Sequence, residues 1–141
     1  MIMAGLKQRL RAGEQILGTM VTTFACPDIA RLLQNAGFDF FIVDCEHGAF
    51  TTREVANILA EARGIGMPGL VRIPEMRREH ALKFMEMGAS GLLLPNTESA
   101  DQADAGGLRQ ICADGTQGSV AVPSAHGFQK GKRSGLYETI Q

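Results

Sequence analysis

The feature that most constrains this chain is an alternation, repeated four times, of short apolar runs with segments of helical periodicity. Such alternation implies a parallel sheet with right-handed crossovers. Leu6–Ala12 is a short basic amphipathic segment, expected to be helical and to end at Gly13. A first strand is expected over Ile16–Phe24, where Gly18 precedes the β-rich Val21-Thr22-Thr23. Pro27 suits the first turn of the next helix and Asp28 its positive end, while Ile29, Leu32, Leu33 and Ala36 recur at i, i+3, i+4, i+7. Gly37 stops that helix, and Phe38–Asp44 reads as the second strand.

The pattern then repeats. Thr51-x-x-Glu54 is a capping box, followed by Val55, Ile58, Leu59 and Ala62 at helical spacing and by Gly64 and Gly66 as stops. Pro68–Ile73 is the third strand, Glu75–Met87 a helix with an apolar face of Ala81, Leu82, Phe84 and Met85, and Gly91–Pro95 the fourth strand. Ser99-x-x-Gln102 opens a further helix, weakened by Gly106-Gly107. Beyond Ile111 the signal fades. Ser119–Val122 has the character of a fifth strand, and Pro123–Gln141, rich in Gly, Ser and Lys, reads as a poorly packed tail. The chain therefore divides into a regular part, residues 1–112, and a weak part, residues 113–141.

The chemistry is concentrated where the second strand ends. The apolar run Phe40–Val43 passes abruptly into Asp44, Glu46 and His47, with Gly48 behind them. Parallel α/β folds present active sites at the carboxyl ends of their strands, and the third strand likewise finishes on Arg72. The bland alternatives are a solvated loop histidine at His47 and a structural pairing of Arg72 with Asp44 or Glu46. His80 lies in the charged run Glu75–His80 and reads as part of a solvated helix face, and His126 has no role in the weak tail. Met76, Met85 and Met87 read as core and interface filler.

Composition excludes several partners. A net charge of -1 without a basic stripe argues against nucleic acid and anionic membranes. No apolar run approaches the roughly 18 residues of a membrane span, and Met1–Glu14 lacks a signal-peptide core. Cys26, Cys45 and Cys112 are odd in number and widely spaced, which fits a reducing cytoplasmic compartment and neither a disulfide framework nor a zinc site. A barrel of eight strand–helix units needs about 250 residues, or roughly 31 per unit. On that scale the 141 residues hold about four and a half units. That is either a compact open sheet or half a barrel whose unpaired edges invite association.

Four segments, in order, resemble the HpcH/HpaI aldolase family of class II pyruvate aldolases. They are Leu6–Gly18, Gly37–Gly48 with its Asp44-Cys45-Glu46-His47 core, Val71-Arg72-Ile73-Pro74, and Met85–Pro95. The likeness runs roughly over residues 6–104. It implies the amino-terminal half of a (β/α)8 TIM barrel, about four to five βα units with parallel strands. It also implies metal-dependent retro-aldol cleavage of a 4-hydroxy-2-oxo acid to pyruvate and an aldehyde. By the same resemblance His47 is the catalytic histidine, Arg72 the arginine that steadies pyruvate or its enolate, and Asp44 the strand-end aspartate at the substrate site. Glu86 falls where the family has an acidic residue, usually aspartate, that pairs with the histidine of a neighbouring subunit. A homo-oligomer acting on a small 2-oxo acid follows from that pairing. Cys45 stands where glycine is common.

The family's divalent metal, Mg or Mn, is held by a glutamate and an aspartate on later strands, and neither motif is found here, so no metal ligand is assigned. Gly115-Thr116-Gln117-Gly118 keeps the glycines of a family loop but replaces its arginine with Gln117. Truncation, or a reading frame altered near residue 105, accounts for both departures. The alternative function is a catalytically inactive half barrel that serves as an assembly unit. A relative of the citrate-lyase or malyl-CoA group, which shares the barrel and enolate chemistry, is the third reading.

Overall fold

A computed structural model of the chain describes residues 2–96, 120–123 and 137–140. Four helices and six strands follow the order α1 (Ile2–Arg11), β1 (Gly18–Val21), α2 (Ile29–Asn35), β2 (Phe40–Asp44), α3 (Thr52–Gly64), β3 (Gly69–Arg72), α4 (Arg78–Glu86), β4 (Gly91–Leu93), β5 (Val120–Pro123) and β6 (Tyr137–Ile140). The strands form one sheet in the order β1-β2-β3-β4-β5-β6. The first five run parallel, and β6 returns antiparallel along β5. The expected helix beginning near Ser99 lies outside the described residues.

Local signals account for the element ends. The Thr51 hydroxyl accepts from the Glu54 backbone N–H at 3.3 Å while the Glu54 carboxylate accepts from the Thr51 N–H at 2.7 Å, so α3 begins on a complete capping box. Three of the expected helix stops adopt the left-handed conformation that glycine tolerates, Gly13 at φ 80°, Gly37 at φ 89° and Gly66 at φ 76°. The first strand is shorter than the Ile16–Phe24 expected from its β-rich composition, because its ladder to β2 runs only from Gly18↔Phe40 to Val21↔Val43. No alternation in the weak tail signals β6, which is held by its register with β5, from Val120↔Ile140 to Pro123↔Tyr137.

Side chains alternate across the strands and so build two different faces. On one, Phe41, Val43, Val71 and Leu92 are fully buried with Val55, Ile58, Leu59 and Ala62 of α3 and Ala81 and Phe84 of α4. Met76, Met85 and Met87 pack against this core, in keeping with their reading as core filler. On the other face Ile42, Leu70 and Leu93 cluster with Phe40. Register pairs Ile42 with Leu70 and Asp44 with Arg72, so the polar strand ends cap this second cluster. His80 departs from expectation. Its side chain is 31% exposed, with Nδ1 3.9 Å from Glu75 Oε1, so it is partly buried and not a fully solvated face.

Candidate active site

Asp44 closes β2 and is 1% exposed, the one buried charged residue among those described. Its carboxylate is filled by four donors. Arg72 Nε donates to Oδ1 at 2.8 Å and Arg72 Nη2 to Oδ2 at 2.6 Å, a two-pronged charge-assisted pair. Oδ1 also accepts the backbone N–H groups of Glu46 at 3.0 Å and His47 at 3.2 Å. A strand-end aspartate thus folds the following turn around itself, as a short acidic side chain does well. The Arg72 hydrogen bonds hold the Asp44 carboxyl below the usual carboxylate range against the opposing effect of burial, and the two N–H bonds add to them. The same pairing raises the Arg72 guanidinium further above its ordinary value, so the cation is permanent.

The turn is pinned on both sides. Cys45 N–H donates to the Arg72 carbonyl at 2.9 Å, and Ala49 N–H donates to the Thr22 carbonyl of the β1 end at 3.3 Å. Only glycine fits at Gly48, because a Cβ there would fall on the carbonyl oxygen of Asp44 and within 2.7 Å of that of Thr22. These are backbone atoms and do not swing aside.

His47 is fixed by its backbone and free in its side chain, which is 71% exposed. Its Nε2 lies 3.7 Å from Glu46 Oε1. Glu46, to which the sequence reading gives no catalytic part, stands between the strand ends. It pairs with Arg72 Nη1 at 3.2 Å and accepts from Asn96 Nδ2 at 3.3 Å. Period-two alternation places Asp44 and Arg72 on one face, but the reach of Glu46 to Asn96, 50 positions later, has no signature in one sequence. Both structural pairings weighed for Arg72 are present together. Two guanidinium N–H groups donate to Asp44 and Nη1 forms an ion pair with Glu46, which leaves N–H groups of the terminal nitrogens unengaged among the described contacts.

Glu86 is not in this cluster. It is the exposed last residue of α4, which runs back from the β3 end to the start of β4, so it sits at the opposite end of the sheet from His47. Cys45 is poorly suited to act as a nucleophile. Burial, followed by the neighbouring Asp44 charge, pushes its thiol up to about 11. Iodoacetamide at pH 8 is therefore expected to leave Cys45 unmodified in the folded chain and to alkylate it in urea, as peptide mass mapping will read.

Among the described residues no group of three or more His, Cys, Asp or Glu side chains is placed to hold an ion. The nearest carboxylates, Asp44 and Glu46, already serve Arg72. Among the described residues no helix is long and apolar enough to cross a membrane.

A sheet whose first five strands run parallel, with helices packed on one face, an apolar cluster on the other and polar groups at the carboxyl strand ends, has the architecture of the first half of an α/β barrel. Comparison with known proteins finds relatives among the aldolases. Over 117 residues the chain is 33% identical to a hydroxypyruvate/pyruvate aldolase of Roseovarius nubinhibens, an alignment that covers 82% of this chain and 45% of the relative. An HpcH/HpaI aldolase from Desulfitobacterium hafniense superposes with a TM-score of 0.64 and 42% identity, covering 69% of this chain and 38% of that one. An HpcH/HpaI aldolase/citrate lyase family protein from Burkholderia cenocepacia gives 0.62 and 31%, with 74% and 41% covered. No family model matches the chain. The chain is a relative of the HpcH/HpaI aldolases and spans about two fifths of the length of those it matches.

Proposed function

We propose that the chain carries the histidine-and-arginine half of a pyruvate-type aldolase site, acting in retro-aldol cleavage of a 4-hydroxy-2-oxo acid. The observation that most supports this reading is the adjacency of His47 and Arg72 at neighbouring strand ends, 3.7 Å and 3.2 Å from one carboxylate, Glu46. The His47 imidazole takes the proton of the C4 hydroxyl, and the C3–C4 bond breaks. Its electron pair passes to the C2 carbonyl, giving the enolate of pyruvate, while C4 leaves as the aldehyde. A proton then returns to C3. Arg72 meets the carboxylate or enolate oxygen with its remaining N–H groups, held in place by Asp44 beneath it. Asp44 thus acts on the substrate through Arg72.

The Mg or Mn ion implied by the family would take its ligands from outside the described residues in this reading, and would supply positive charge to the enolate oxygen. A pairing of Glu86 with His47 requires a second copy, because one chain sets them at opposite ends of its sheet. A homo-oligomer belongs to the proposal for that reason, and a reducing cytoplasmic setting suits the free thiols of Cys26 and Cys45.

The test is pyruvate release from 4-hydroxy-2-oxopentanoate, read by coupling to lactate dehydrogenase, with Mg2+ or Mn2+ and with chelator. Metal-stimulated release supports the reading. No release with 2-oxo acids of several lengths sinks it for this chain, and a CoA thioester in the same assay separates the citrate-lyase alternative. A second reading, an assembly unit without turnover, is favoured by one observation. Leu17 and Phe24, 54% and 60% exposed, flank β1, the edge of the described sheet, which itself carries Met20 at 40%.

A further inference from the structure

Glu46 carries more contacts than a structural carboxylate at this position needs. Asp44 already anchors Arg72 with two short hydrogen bonds, yet a second carboxylate, 14% exposed, is drawn onto the same guanidinium. Its other oxygen accepts from Asn96 and faces His47 Nε2. Asn96 follows the end of β4 at φ 49°, a left-handed conformation that asparagine tolerates better than most residues. Three strand ends are thereby tied to one side chain.

The charges do not favour the substrate. Asp44 and Glu46 set two negative charges against one on Arg72, so an incoming 2-oxo acid anion meets a surplus carboxylate. At 3.7 Å the Glu46 oxygen is too far for a hydrogen bond to a neutral imidazole. At the same distance it attracts an imidazolium, from a carboxylate that is 14% exposed to a side chain that is 71% exposed, so solvent moderates the attraction without removing it. An interaction that appears only once the proton has moved raises turnover and not affinity.

We infer that Glu46 is a positioning residue tuned to the transition state: it weakens ground-state binding of the anionic substrate and stabilises His47 once the imidazole holds the hydroxyl proton, with Asn96 fixing its carboxylate. This rests on the aldolase reading above. Glu46→Gln in the full chain is expected to lower kcat about 10- to 100-fold while also lowering KM about 2- to 5-fold. Glu46→Asp keeps the charge and recovers part of kcat. Asn96→Gly keeps the left-handed backbone, drops the amide, and lowers kcat about 3- to 10-fold. A purely structural Glu46 would raise KM.

Calorimetric binding of oxalate, which mimics the pyruvate enolate, needs no turnover. Its affinity is expected to rise about 2- to 5-fold in Glu46→Gln. Unchanged or weaker oxalate binding, or a higher KM, overturns the inference. A wild-type chain that binds oxalate but turns nothing over overturns the aldolase reading alone, and the oxalate comparison still decides for Glu46. A wild-type chain that binds no oxalate overturns both.

Discussion

His47→Ala is expected to reduce pyruvate release by about 10²- to 10⁴-fold, the usual contribution of a positioned general base. Stability should stay within about 0.5 kcal/mol, as for a surface substitution. The two halves of this expectation have separate structural grounds. The side chain is 71% exposed, so truncating it leaves no cavity. The hydrogen bond that His47 gives to the fold comes from its backbone N–H to Asp44 Oδ1, and alanine keeps it. What is lost is an imidazole held over a turn that cannot relax, since Gly48 is packed against two carbonyl oxygens and Ala49 is tied to Thr22. The measurement is kcat/KM beside a urea midpoint. Activity within tenfold of wild type would remove His47 from the mechanism, and a large fall in the midpoint would make it a structural residue instead.

Much of this arrangement is legible in sequence because it is local. A capping box, left-handed glycines and an i, i+3, i+4, i+7 stripe each report on neighbours within one turn, and α2, α3 and their boundaries follow from them. The strand ends are legible for a related reason. Phe40, Ile42 and Asp44 alternate on one side of β2, so an aspartate finishing that series falls on the face that Arg72 shares by register. The motif resemblance names His47, Arg72 and Asp44 together; what it does not carry is that the Asp44 carboxylate receives Arg72 and two backbone N–H groups.

What sequence does not carry is long-range placement. Glu46 meets Asn96 after two crossover connections and through a left-handed residue, and no spacing rule joins positions 46 and 96. Glu86 is matched by its motif, yet a helix that starts at the carboxyl end of β3 must finish at the other end of the sheet. The strand β6 forms from Tyr137-Glu138-Thr139-Ile140 because β5 offers a free edge, a reason that lies in another part of the chain.

Asp44→Asn should cost about 3 kcal/mol at neutral pH, the lower end of the range for breaking a buried ion pair, because Arg72 keeps Glu46 and is itself a fifth exposed. The amide is nearly isosteric, so no cavity forms. Its carbonyl oxygen can still receive N–H groups, but its NH2 turns a donor towards an Arg72 nitrogen. The pH dependence gives the test its sign. Asp44 in the folded chain ionises below its unfolded value, with the Arg72 hydrogen bonds as the largest cause. The contribution of the ionised form is therefore complete above the unfolded value, near pH 4, and is lost as pH falls through the lower folded value. Urea midpoints of wild type and Asp44→Asn should stay separated by a constant gap between about pH 5 and 8 and converge below about pH 4. The variant should also lose turnover beyond what its stability explains, since Arg72 and the His47 turn are both built on this carboxylate. A gap under about 1 kcal/mol at neutral pH, or one that persists unchanged into acid, would show that the Arg72–Asp44 pair does not hold the strand ends together.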